Sequence, residues 1–195
     1  MHSALRQILG EHVHQAGSLV NEKQLRFDFS HYQKVSDEEI RAIEELVNEK
    51  LREAIPLIHH RNIPFEDAKK MGALMFFGDK YGSHVNVVDF GSFSREFCGG
   101  THVKNSSEIG LFKLVSESSI ASGTRRIEAV TGRGIEQWLY NELAKSDELS
   151  REREKLEDEK RKLEKEIAKL KLGQRLDEAK QIVSSAQSLN GTNIK

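Results

Sequence analysis

The single cysteine of this 195-residue sequence stands in Phe97-Cys98-Gly99-Gly100-Thr101-His102. Thiolate sulfur and imidazole nitrogen are both zinc donors. The two glycines between Cys98 and His102 permit the tight turn that lets both side chains face one ion. A structural zinc takes about four ligands, and a catalytic one about three plus water. The pair supplies half of either set. Taken alone, its plainer reading is a buried cysteine beside a turn with an unrelated histidine. The other histidines are His2, His12, His14, His31, His59, His60 and His84. No two of them have the HxxxH spacing that puts two imidazoles on one helical face. His12 and His14 diverge on a helix, and His59 and His60 point to opposite faces of a strand. Each reads as a surface or hydrogen-bonded histidine.

Three other segments carry usable chemistry, each beside a plainer alternative. Gln15 and Ser18 flank Gly17, where backbone can approach a ligand closely. Gln15 both donates and accepts hydrogen bonds, and Ser18 can orient a water. The alternative is an ordinary turn into a strand. Arg125 and Arg126 adjoin on a strand and must point to opposite faces. One can pair with Glu128 or Glu96 and the other meet a phosphate, or both can serve as a salt-bridged strand edge. Gly78-Asp79-Lys80-Tyr81-Gly82 is a bare turn or a phosphate and base contact through Lys80 and Tyr81.

The elements that must position these residues follow from the pattern. Residues 3–13 read as a helix with Ala4, Leu5, Ile8 and Leu9 on one face. Gly17–Val20 and Leu25–Phe29 read as strands joined at Asn21-Glu22-Lys23. Asp28 falls between the apolar positions of the second strand and reads as structural. Ser36 and Glu39 form a capping box for a helix that buries Ile40, Ile43, Leu46, Val47 and Leu51 and stops before Pro56. Leu57–Ile63 is a strand, and Pro64 opens a short helix. Val85–Phe90 and Glu96–Cys98 are strands, and Gly110–Glu117 pairs with Thr124–Val130 across Ser118–Gly123. The order implies an α+β fold: a mixed or antiparallel sheet with packed helices, followed by a long charged α-helix.

Hydrophobic residues make up 37% of the chain and charged residues 31%, so part of it lies outside a core. The composition shifts near Gly132–Gly134. The expected divisions are 1–133, a helical arm over 134–189, and a tail over 190–195. In the arm, Leu149, Leu156, Leu163 and Leu170 repeat every seven residues. Their companion positions Ser146, Arg153 and Lys160 are polar. A solvated helical arm and a coiled-coil dimer therefore both stand as readings. A lone cysteine fits a reducing compartment. No apolar run approaches the ~20 residues of a membrane span, and no signal peptide is seen. A soluble cytoplasmic protein with no membrane partner is expected. The formal net charge of −1 leaves any nucleic-acid contact to a local patch.

Six ordered segments together are more specific than any one. They are Ser3–Gly10, Gln15–Val20, Leu25–His31, Gly78–Gly82, Cys98–His102 and Gly123–Ala129. The series closely resembles the editing domain of bacterial alanyl-tRNA synthetases over residues 2–133, and the charged helix resembles the start of that family's oligomerisation region. The resemblance implies hydrolysis of mischarged Ser-tRNA(Ala) or Gly-tRNA(Ala). It implies the tRNA(Ala) acceptor end as partner, a homo-oligomer through the C-terminal helix, and zinc held by Cys98 and His102 with a helical HxxxH pair. The resemblance puts that pair immediately upstream of His2, so the metal site is expected to be incomplete in this sequence. ATP belongs to the family's catalytic domain, which has no counterpart here. Gln15 matches an editing-pocket residue. Ser18 and Thr101 are expected to orient water or ribose, and Lys80 and Arg125 to contact tRNA phosphate.

Overall fold

The computed structural model describes residues 1–75 and 81–190, with side chains to residue 185. Met1–Leu139 forms one compact unit and the chain from Tyr140 onward a second. The elements are α1 (His2–Leu9), β1 (Gln15–Val20), β2 (Leu25–Ser30), α2 (Asp37–Arg52), β3 (Ile58–Pro64), α3 (Phe65–Lys70), β4 (His84–Phe90), β5 (Ser94–Phe97), β6 (Phe112–Ala121), β7 (Thr124–Thr131) and α4 (Arg133–Asn190). The expected α+β class holds. Two antiparallel sheets form, ordered β1-β2-β7-β6 and β3-β4-β5.

The first sheet buries one face under α1 and α2. Phe27 and Phe29 of β2, Ile127 and Ala129 of β7, and Phe112 and Leu114 of β6 form a single core with Ala4, Leu5, Ile43, Val47 and Leu51. The capping box forms as expected: Ser36 Oγ accepts from Glu39 N–H at 3.2 Å, and Glu39 Oε2 accepts from Ser36 N–H at 2.8 Å. Ile40 and Leu46 pack at the margin of this core. Asn48, also on α2, is buried and bridges to β6. Its Oδ1 accepts from Phe112 N–H at 2.8 Å, and its Nδ2 donates to the Phe112 carbonyl at 2.8 Å. The second sheet packs on α3 through Ala68, Ala73, Val85, Val87 and Phe97.

Boundaries move for identifiable reasons. The first helix ends at Leu9, because Gly10 takes φ 116° and turns the chain back. The loop expected over 118–123 contracts to a tight turn, with Gly123 at φ 71°. A 3₁₀ turn at Ser106–Ile109 is additional, capped by Asn105 Oδ1 accepting from Ser107 N–H at 2.9 Å. Strand β3 bulges at Asn62, whose N–H donates to Asn86 Oδ1 at 2.9 Å. The compact unit closes at Leu139, inside α4 rather than at its start. There Lys113 Nζ lies 5.0 Å from the centre of the Trp138 ring, tying the first turns of α4 to β6.

In the second unit α4 is a solvated helix, with Leu149, Leu156, Leu163 and Leu170 each more than half exposed. Spaced pairs such as Arg153–Glu157 and Lys160–Glu164 support it, each worth only ~0.2–0.5 kcal/mol. Among the described residues no helix is long and apolar enough to cross a membrane.

Candidate functional site

Between the two sheets of the first unit lies a cavity of about 700 Å³. Phe27, Val47, Leu51 and Phe93 give it an apolar wall, and Gln15, Ser18, Glu96 and Cys98 bring polar groups to it.

Gln15 and Ser18 reach the same face only because β1 is bulged. Residues three apart on a regular strand point in opposite directions. Here Gln15 pairs with Phe29 and Gly17 with Asp28, so one residue is extra in β1, and Ser18 then stands opposite Phe27. Phe27 and Phe29 both belong to the core face. The bulge thus turns Gln15 and Ser18 the same way, and Gln15 Nε2 donates to Ser18 Oγ at 3.0 Å. Gly17 lies beside the next strand: a Cβ there would make ordinary contact with Asp28 Oδ2 at 3.5 Å. Asp28 is itself committed. Arg126 Nε and Nη2 donate to its two oxygens at 2.7 and 2.9 Å. The Arg126 hydrogen bond holds the Asp28 carboxyl below the usual range in spite of burial.

Cys98 follows β5, anchored by its N–H donating to the Asn86 carbonyl at 3.1 Å. Its thiol is half-buried in the cavity wall. A Cβ on Gly100 would lie 3.7 Å from Cys98 Sγ and 3.8 Å from His102 Cε1, so both side chains flank one spot. The His102 imidazole is held below its ordinary pKa by desolvation and by the neighbouring His59, against a hydrogen bond to the Gly100 carbonyl. In donor chemistry the pair fits zinc. No cluster of three or more His, Cys, Asp or Glu suited to a metal occurs among the described residues. His59 and His60 do point apart: His59 meets the His102 ring edge-on at 6.4 Å, and His60 approaches Asp89.

The other expected contacts distribute differently. Thr101 is exposed and is not among the residues lining the cavity. Arg125 is paired with Glu117 and largely buried, which differs from the Glu128 or Glu96 partner expected for that arginine pair. Lys80 lies outside the described residues; Tyr81 lines the cavity and packs on Phe97. Sequence reasoning took His2 as a surface or hydrogen-bonded histidine, took Glu96 only as a partner for arginine and passed over Ser94, although all three line the cavity. The signal was present for two of them: Ser94, Glu96 and Cys98 alternate along one stretch of chain and so share a face.

Residues 85–128 match the model of the threonyl and alanyl tRNA synthetase second additional domain. The chain is 61% identical over 136 residues to an alanine–tRNA ligase of Bacteroides fragilis, covering 70% of this chain and 16% of that protein. It is 48% identical over 198 residues to the alanine–tRNA ligase of Cytophaga hutchinsonii, covering 98% of this chain and 22% of the relative. The alanine–tRNA ligase of Bacillus velezensis is 49% identical over 183 residues, covering 92% and 20%. The chain therefore spans about a fifth of the length of these relatives. Nearly its whole length aligns with them, helix included, and on that ground the chain belongs to the alanyl-tRNA synthetase family.

Proposed function

We propose that the cavity is an editing site that hydrolyses serine or glycine wrongly esterified to tRNA(Ala), with the 3′ acceptor end as its nucleic-acid partner. The observation carrying this is the convergence of Gln15, Ser18 and Cys98 on one cavity in a chain of this family. Ser18 Oγ accepts from Gln15, so its own proton is free to donate to a water or to the ester carbonyl. Water attacks the carbonyl carbon and the tetrahedral adduct collapses with cleavage of the ester C–O bond; one water proton goes to the departing ribose oxygen, the other to solvent, and the amino acid leaves as its carboxylate. Cys98 and His102 would hold zinc together with donors from beyond this set, and the ion supplies Lewis acidity when bound.

The test is Cys98→Ala in a full-length synthetase carrying this segment. Ser-tRNA(Ala) deacylation is expected to fall at least a hundredfold while aminoacylation is unchanged. Equal loss of both activities refutes a separate editing site.

A second role rests on a different observation. The exposed heptad leucines of α4 offer an apolar stripe that a second copy can cover, giving a homo-oligomer. Sedimentation is expected to show self-association that is lost when residues 142–195 are removed; a monomer in both cases refutes it.

A further inference from the structure

Glu96 is the one carboxylate among the described residues that line the cavity. Its orientation is built in. Strand alternation puts Ser94 and Glu96 on one face of β5, while Arg95 between them turns the other way. Arg95 Nε donates to Asp89 at 2.6 Å, and Arg95 Nη1 donates to the Met71 carbonyl at 2.6 Å, which pins the strand from behind. On the cavity side, Ser94 Oγ donates to Glu96 Oε1 at 3.4 Å, and His2 Nδ1 lies 3.7 Å from the same oxygen.

An aminoacyl ester differs from a simple acyl ester by a basic nitrogen on the carbon next to the carbonyl. Bringing that group as an ammonium into a largely apolar cavity is costly without an anionic partner. We propose that Glu96 receives the α-ammonium of the aminoacyl group, with Ser94 and His2 holding the carboxylate in place. The proposal rests on the deacylase reading and adds the contact that separates aminoacyl from acyl esters. It also fits indifference between serine and glycine, since both carry the same ammonium.

The experiment measures binding, so it depends on neither hydrolysis nor metal. The probes are 3′-(L-seryl)amino-3′-deoxyadenosine, which is a stable amide, and its counterpart with hydrogen in place of the ammonium. Each is titrated into the chain and into its Glu96→Gln and Glu96→Asp variants at pH 7, after each variant is shown by thermal unfolding to be folded. The native chain is expected to prefer the amino probe by about tenfold to a hundredfold, the range for a charged hydrogen bond. Glu96→Gln is expected to abolish the preference through weaker binding of the amino probe alone, and Glu96→Asp to retain part of it. Equal binding of both probes by the native chain overturns the Glu96 assignment and leaves the deacylase reading standing. Equal weakening of both probes by Glu96→Gln does the same. Failure of the native chain to bind either probe overturns both.

Discussion

Asn48 is the most consequential polar residue of the core. It is buried on α2, and its amide closes a two-way bond with the backbone of Phe112, donating to the carbonyl and accepting from the N–H, both at 2.8 Å. A third bond, from Nδ2 to the Glu44 carbonyl at 2.9 Å, fixes the side chain along its own helix. Asn48→Ala removes the partner of both Phe112 groups. A buried backbone donor or acceptor left unpaired costs about 1–3 kcal/mol, so two together cost about 2–6 kcal/mol. Against a typical domain stability of about 5–15 kcal/mol, that is a large share. Urea unfolding of the native and variant chains measures it, with an unchanged m-value showing that only stability has moved. Asn48→Asp keeps the acceptor for Phe112 N–H but loses the donor, so it is expected to be destabilising as well. A loss below about 0.5 kcal/mol for Asn48→Ala would falsify the assignment, because it would mean that water satisfies Phe112. The consequence reaches the site, since Val47, Lys50 and Leu51 of the same helix line the cavity.

Other outcomes are equally specific. Ala54, just after α2, takes φ 53°, a left-handed conformation that costs a non-glycine residue about 1–2 kcal/mol. Ala54→Gly is expected to raise the melting temperature, and an unchanged or lower one refutes strain there. His31 stacks on His12, with the two ring nitrogens 2.9 Å apart. Desolvation and the neighbouring His12 charge hold its pKa below the ordinary histidine value, against Glu39 and Glu117 and together with Arg125. The folded state therefore binds this proton less readily than the unfolded state. The associated stability is complete above the ordinary histidine range and is lost as pH falls through the folded value. Thermal unfolding across pH 7 to 5 should show a shallower decline in His31→Gln, and an identical decline in both proteins refutes the contribution.

Much of the architecture was legible because it is local. The capping box at Ser36 and Glu39, the alternation of Leu25, Phe27 and Phe29, and the glycine turn after Cys98 act through neighbouring residues, so their consequences survive without knowledge of the rest of the chain. The Cys98–His102 pair was legible for the same reason, as two donors across a turn that the structure holds about one point. The long helix was equally plain, since its charge pattern needs no partner to be helical.

Sequence could not settle which partners the charged residues choose or which polar groups share a cavity. Arg125 was open to several partners in sequence, and only the register of β6 against β7 delivered Glu117. Gln15 and Ser18 stand on opposite faces in any regular strand; the pairing of β1 with β2 forces the bulge that unites them. Glu96 is unremarked as a letter, and becomes the cavity's carboxylate because Arg95 locks β5 from behind and β4–β5 packing turns its other face inward. The sequence by itself determined the elements and the donor pair, since dihedral preference and spacing are properties of adjacent residues. The tertiary structure decided the site, since pairing across strands and desolvation in a cavity depend on residues far apart in the chain.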